Sequence, residues 1–295
     1  MGLGALRSRF WDGAARGDQV SQRAPIAVLV PTLNEEKNLP ACLKSVRWAA
    51  EIFVVDSCST DGTRAVAADA KANFVEHAFE DYAAQKNWAL QTLPISQPWI
   101  LILDADERVS PDLAREIAAV VAAPNPCDGY YVNRRFIFMG RWLRHCGWYP
   151  SWNLRLFRRG QAHYEQRPVH EHMVVQGTVG YLQHDLIHAD ERGLAAWLQR
   201  HNRYSTLEAQ ARAAALTASK TGLEPGWLGS PVQRKRVIKE LIWPHLPFKP
   251  LLWFIYMYIL RAGFLDGRAG FAFCLLQAMQ EHHIGLKLRE LREPK

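Results

Sequence analysis

Trp99-Ile100-Leu101-Ile102-Leu103-Asp104-Ala105-Asp106-Glu107 is the stretch that decides the fold. An apolar run of this length, bounded by polar residues, suits a buried strand better than a helix. Two carboxylates at the end of such a strand are costly to desolvate unless a cation or hydrogen-bond donors neutralise them. Magnesium or manganese, hard ions that prefer oxygen ligands and bridge phosphates, meets that need and makes Asp104 and Asp106 candidate ligands. An isolated Asp-x-Asp is more often a solvated loop ahead of a helix. The residues upstream reverse that preference.

Working outward, Ile26 to Val30 reads as a strand that runs into Pro31-Thr32-Leu33-Asn34-Glu35-Glu36. Leu39, Leu43 and Val46 follow at helical spacing, and a second strand, Ile52 to Val55, runs into Asp56-Ser57-Cys58-Ser59-Thr60-Asp61-Gly62-Thr63. The rhythm continues with a helix after Thr63, a short strand around Asn73 to Glu76 and a polar helix carrying Trp88 and Leu90. Ser110-Pro111 is a helix cap followed by proline at the first helical position, with Leu113, Ile117, Val120 and Val121 as the apolar face. Through about residue 124 the pattern predicts an α/β fold, a mostly parallel sheet flanked by helices, whose ligands gather at the carboxyl ends of the strands. Taken singly, Asn34 and Asp61 are helix caps and Gly62 a turn residue. Taken together, three carboxylate-bearing strand ends converge on one edge.

The combination PTLNEE, VVDSCSTDGT and LDADE resembles family 2 glycosyltransferases, inverting enzymes with the Rossmann-like GT-A fold, over about the first 120 residues. The resemblance implies that Thr32, Asn34, Glu35 and Asp56 hold the nucleoside. It makes Asp104 and Asp106 the ribose, diphosphate and metal contacts, with Mg2+ or Mn2+ as cofactor. Cys58 stands where many such enzymes carry glycine. Lys86, in Gln85-Lys86-Asn87, is either a contact to the phosphates or part of a solvated helix face, with equal weight.

Pro124-Asn125-Pro126 marks a change of composition, and residues 129 to 190 are rich in Trp, Tyr, Arg and His. Tyr130 to Val132 and Leu154 to Phe157 are its β-like pieces. Inverting transfer needs a base outside the metal pair to take a proton from the acceptor hydroxyl. Glu171, in Arg167-Pro168-Val169-His170-Glu171-His172, resembles the His-Glu segment of a subset of the family and is the expected base. A histidine completes the metal shell in some GT-A enzymes; among His170, His172, His184 and His188, the expectation falls on His188 in Leu186-Ile187-His188. Arg134, Arg155 and Arg158 are candidates for a diphosphate or an anionic acceptor, and Trp148 and Trp152 for stacking on sugar.

These readings divide the chain into a flexible tail (1–24), a catalytic domain (25–190) and a helical C-terminal region (191–295). Within the catalytic domain, 25–124 binds the nucleotide sugar and 125–190 the acceptor. Tyr258 to Gly267, with the His-Glu segment, resembles bacterial lipopolysaccharide core β-1,4-glucosyltransferases acting on heptose. That implies UDP-glucose as the sugar source and a phosphorylated, lipid-linked saccharide acceptor, met at the cytoplasmic face of the inner membrane. The longest apolar run, Leu251 to Leu260, is about half of the roughly 20 residues a spanning helix needs. The basic, Trp-rich C-terminal stretch therefore suits a peripheral membrane anchor lying in the interface, or a helix pair packed on the catalytic domain.

The net charge of +7 favours anionic partners. Nucleic acid is set aside because there is no basic stripe or RNA motif. A nucleotidyltransferase would also use paired carboxylates with magnesium, but the motif order disfavours it. A noncatalytic scaffold that only binds a nucleotide sugar is the alternative to an enzyme. The 5 cysteines show no metal or disulfide spacing and fit a reducing compartment.

Overall fold

In the computed structural model, residues 23–165, 173–217 and 248–292 are described. The expectations placed on 1–22 and on 166–172 lie outside them, Glu171, His170 and His172 included, as does the helical expectation for 218–247 and 293–295.

The first part of the chain alternates as its pattern predicts: β1 (Ala24–Thr32), α1 (Leu39–Ser45), β2 (Ala49–Asp56), α2 (Thr63–Asp69), β3 (Asn73–Glu76), α3 (Tyr82–Thr92) and β4 (Trp99–Ile102). These strands lie in the order β3-β2-β1-β4, all parallel. The two-residue period of β1 sends Ile26, Val28 and Val30 to a core shared with Leu39, Leu43, Leu113 and Ile117. Ala27 and Leu29 go to a second core, shared with Ala83 and Ala89 of α3. A strand covered on both faces reads as an unbroken apolar run, which is why β1 and β4 were visible in the sequence. Ser110 caps α4 (Pro111–Ala122), its hydroxyl accepting the Leu113 N–H at 3.2 Å.

Past β4 the sheet becomes mixed. Its further strands are β5 (Glu107–Val109), β6 (Gly129–Phe138), β7 (Arg141–Trp142), β8 (Trp152–Arg158), β11 (Val179–Tyr181) and β12 (Leu186–Ala189). β9 (Ala162–Tyr164) and β10 (Met173–Val175) form a separate antiparallel pair. The sheet continues β4-β8-β6-β12-β5. β8 runs antiparallel between β4 and β6, and β12 runs parallel to β6 and antiparallel to β5. This return sets His188 opposite Glu107, the first residue after the Asp104-Ala105-Asp106 turn.

The chain divides into two compact units, one running to Trp142 and again over Trp148–Arg192, the other made of Leu143–Gly147 and everything from Gly193 on. The second unit contains α5 (Gly193–Thr217), α6 (Lys249–Ile255), a π turn at Tyr256–Leu260, a 3-10 turn at Gly263–Asp266 and α7 (Gly267–Glu290). Lys287 of α7 donates to Asn202 Oδ1, Ser205 Oγ and Thr206 Oγ1 of α5 at 2.7 to 2.8 Å. Asp266, almost fully buried, accepts the backbone N–H of Arg144 and of His145 at 3.3 and 2.9 Å. Gly263 is obligatory here: a Cβ would meet the Met257 carbonyl at 2.8 Å and the sulfurs of Cys146 and Cys274 at 2.9 Å. Among the described residues no helix is long and apolar enough to cross a membrane. Apolar side chains nevertheless stand exposed at helical spacing, Leu251, Leu252, Ile255, Ile259 and Leu260 along α6 and the π turn, and Phe271, Leu275 and Met279 along α7.

Candidate active site at the carboxyl ends of β1, β2 and β4

Parallel pairing puts Thr32 and Asp56 side by side at the ends of β1 and β2, where the Thr32 hydroxyl donates to Asp56 Oδ1 at 2.9 Å. Asp56 is buried and accepts the N–H and hydroxyl of Ser59 at 2.7 and 2.6 Å. The two following loops are laced together. Asn34 donates its N–H to Ser59 Oγ at 2.7 Å and accepts the Thr60 N–H at 2.9 Å, while Glu35 N–H reaches Thr63 Oγ1 at 2.9 Å. Cys58 has φ +62°, the left-handed region that a residue without Cβ adopts most easily.

At the end of β4, Glu107 organises the carboxylate turn. It is fully buried, its Oε2 accepts the Asp104 N–H at 3.0 Å, and its own N–H returns to the Asp104 carbonyl at 2.8 Å. Arg155 of β8 bridges Asp104 and Glu107 at 2.6 and 2.7 Å, and Arg134 lies 3.4 Å from Glu107. Burial by itself would raise the Asp104 carboxyl; Arg155 first, then Lys86 and Arg134, outweigh it and hold that carboxyl well below the usual range. Lys86 is only 8% exposed, with Nζ 4.8 Å from the Tyr164 ring centre, so the solvated-face reading of this residue is corrected.

Asp106 Oδ2 lies 3.3 Å from His188 Nε2. Burial opposes charge on both groups, but their attraction prevails: the Asp106 carboxyl is lowered and the His188 imidazole raised. Phe136 packs edge-on to the imidazole at 5.2 Å. Among the described residues no three His, Cys, Asp or Glu side chains stand ready as a metal cage. The donor chemistry of Asp104, Asp106 and His188, two carboxylates and an imidazole, nonetheless fits a hard divalent cation that keeps positions for phosphate oxygens.

Several expected residues sort differently once register is known. Antiparallel pairing sets Arg158 beside Trp99 at the start of β4, where its guanidinium lies 5.0 Å over the indole and 3.5 Å from Asp128. That is the end of β4 away from Asp104, so Arg158 is removed from the phosphate candidates. Arg155 and Arg134 are engaged with carboxylates. His184 pairs with Glu116 at 2.7 Å, outside the carboxylate turn. Trp148 packs against Phe136 at 5.3 Å, and so belongs to the His188 surroundings, whereas Trp152 stands against Tyr181 at 5.1 Å.

Sequence reasoning gave no role to Glu107, Asn38, Asp190 or Arg192. Glu107 had a signal, a third carboxylate in a strand-end run. The others had none, because the contacts that bring Asn38 to Asp190 and Glu191, and Arg192 to Glu35, span more than 150 positions. Both oxygens of Glu35, expected to hold the nucleoside, are instead taken within the protein, Oε1 by Arg192 at 2.7 Å and Oε2 by Asn38 at 2.8 Å, which sets its side chain aside from that role. Burial pushes its carboxyl up to about 7 against the pull of Arg192 and Asn38.

Residues 27–186, more than half of the 295, match the family model described as Glycosyl transferase family 2. The chain belongs to this family. Its α/β architecture is accordingly the GT-A fold that the motifs implied. Over 87% of its length this family 2 glycosyltransferase is 31% identical to the lipopolysaccharide core biosynthesis glycosyltransferase LpsC of Rhizobium meliloti (strain 1021), spanning 91% of that protein. An uncharacterized glycosyltransferase of Rickettsia typhi is 24% identical over 90% of the chain and 87% of its own length. Among solved structures, S. aureus TarS 1-349 aligns over 88% of this chain and 91% of its own, at 13% identity and a TM-score of 0.42.

Proposed function

We propose that this family 2 enzyme transfers a sugar, glucose from UDP-glucose, to the heptose of a lipid-linked lipopolysaccharide core at the cytoplasmic face of the inner membrane. The observation that carries the reading is the gathering of Thr32 and Asp56 at the ends of β1 and β2, and of Asp104, Asp106 and His188 at the turn after β4. The likeness to LpsC over nearly the whole chain supports the lipopolysaccharide core as acceptor. Thr32, Asn34 and Asp56 hold the nucleoside, and Asp104, Asp106 and His188 hold Mg2+ or Mn2+. When bound, the cation neutralises the departing diphosphate. Lys86 and Arg155, buried beside Asp104, add positive charge on the same side. Glu171 removes the proton of the acceptor hydroxyl. The bare apolar side chains of α6 and α7, with Arg261 and Arg268 exposed among them, lie in the interface of an anionic membrane and bring the site to its lipid-linked acceptor.

Calorimetric titration with UDP-glucose, UDP-galactose and GDP-mannose, with and without Mn2+, tests the sugar source and the metal together. Mn2+-dependent binding of UDP-glucose alone is expected, and Asp106→Ala abolishes it. Undiminished affinity in Asp106→Ala would remove the metal assignment. Binding without transfer to any lipid acceptor would leave a scaffold.

A further inference from the structure

Beside the carboxylate turn lies a knot of polar side chains to which the proposed chemistry gives no work. Asn38 is fully buried; its Nδ2 donates to Glu35 Oε2 at 2.8 Å and Asp190 Oδ1 at 3.1 Å, and its Oδ1 accepts the Glu191 N–H at 2.7 Å. Arg192 closes the knot, with Nε and Nη2 on the two oxygens of Asp190 at 2.9 Å and Nη1 on Glu35 at 2.7 Å. Two more links run alongside. Ala189 N–H donates to the Asp106 carbonyl at 2.9 Å, and the buried Arg108 donates to Glu191 at 2.9 Å. Every residue from His188 to Arg192 is thus tied either to the Asp106 turn or to the loop after β1.

A half-buried ion cluster of this kind, with only Asn38 fully buried, is a poor way to gain stability, since its Coulombic gain is largely offset by desolvation and screening. Its strength is directional: a guanidinium fork fixes two carboxylates in one plane, which an ammonium group cannot do. Fixing the stretch that begins at His188 fixes the imidazole against Asp106, and fixing Glu35 sets the loop that carries Asn34. We propose that Asn38, Asp190 and Arg192 are positioning residues, a clasp that holds the end of β12 to the loop after β1 and thereby aims His188 at the cation. The proposal rests on the reading of Asp104, Asp106 and His188 as the metal site.

The test is Mn2+ affinity of the full-length protein in the presence of UDP, read by calorimetry, for wild type, Arg192→Lys, His188→Ala and the double variant. Outer-sphere support of a metal-bound histidine commonly carries about 10- to 100-fold in affinity, and a loss of that size is expected for Arg192→Lys. Because the clasp acts through His188, the double variant binds Mn2+ no more weakly than His188→Ala. Losses that simply add, or an Arg192→Lys affinity equal to wild type, would overturn the clasp. Asp190→Asn keeps the shape while discarding the charge; it repeats the test if Arg192→Lys fails to fold, with the same two outcomes. A wild type that binds no Mn2+ with UDP overturns the metal site itself, and the clasp falls with it.

Discussion

The two compact units place their unusual residues in opposite ways. The first buries charge: Asp56, Glu107, Arg108, Arg155 and Asp185 are each at most 5% exposed. The second leaves apolar side chains bare, with Leu251 at 56%, Ile259 at 55% and Leu260 at 72% exposure. Neither habit favours folding. Charge collected where parallel strands end is tolerated when it handles a charged ligand, and bare apolar surface when another apolar phase covers it. On the proposed function the first unit carries the chemistry and the second the attachment, so a variant in one should leave the other's property intact.

The largest expected effect tests the chemical side. Glu171→Gln should lower turnover by about two to four orders of magnitude while UDP-sugar binding stays unchanged. Near-normal turnover would move the base elsewhere. Glu107→Gln comes next: it keeps the shape but strips Arg155 and Arg134 of a buried counter-charge, and should cost about 3–5 kcal/mol in urea unfolding. A cost under about 1 kcal/mol would mean that Asp104 alone satisfies Arg155, and the contrast in buried charge would lose its sharpest point. On the attachment side, Leu251→Ser with Ile259→Ser should weaken partition onto anionic vesicles about tenfold with UDP-sugar binding untouched. Equal partition of this variant and wild type would end the comparison.

The smallest effect concerns Glu35. Its folded pKa, about 7, lies above that of the unfolded chain, so the folded state holds the extra proton between the two values. Wild type should therefore lose stability relative to Glu35→Gln as pH rises from about 5 to 7, at up to about 1.4 kcal/mol per pH unit. A pH-independent difference in thermal midpoint would show that Arg192 keeps Glu35 ionised throughout.

What could be read in advance followed the range of the interactions. The block β3-β2-β1-β4 and its polar ends were legible because alternation, caps and apolar runs are local signals. β5 was not: Glu107-Arg108-Val109 carries no strand pattern and is a strand only because β12 returns beside it. Arg155 and Arg158 look alike in composition; the register of β8 on β4 alone sends one to Asp104 and the other to Trp99. Lys86 was ambiguous because a polar helix hides which polar side chain turns inward. Asn38 and Asp190 meet across 152 positions, beyond any pattern a single sequence displays.

Leu143–Gly147 belongs with the C-terminal helices although the residues on either side of it belong to the first unit. Asp266 accepts the backbone N–H groups of Arg144 and His145 in this insert, and Cys146 N–H donates to the Arg261 carbonyl at 3.1 Å. A gene ended after Arg192 would leave a five-residue piece of the missing portion inside the remaining one, the amides of Arg144, His145 and Cys146 without these acceptors. For anyone exchanging C-terminal portions between relatives, the insert and the helices are one inheritance and travel together.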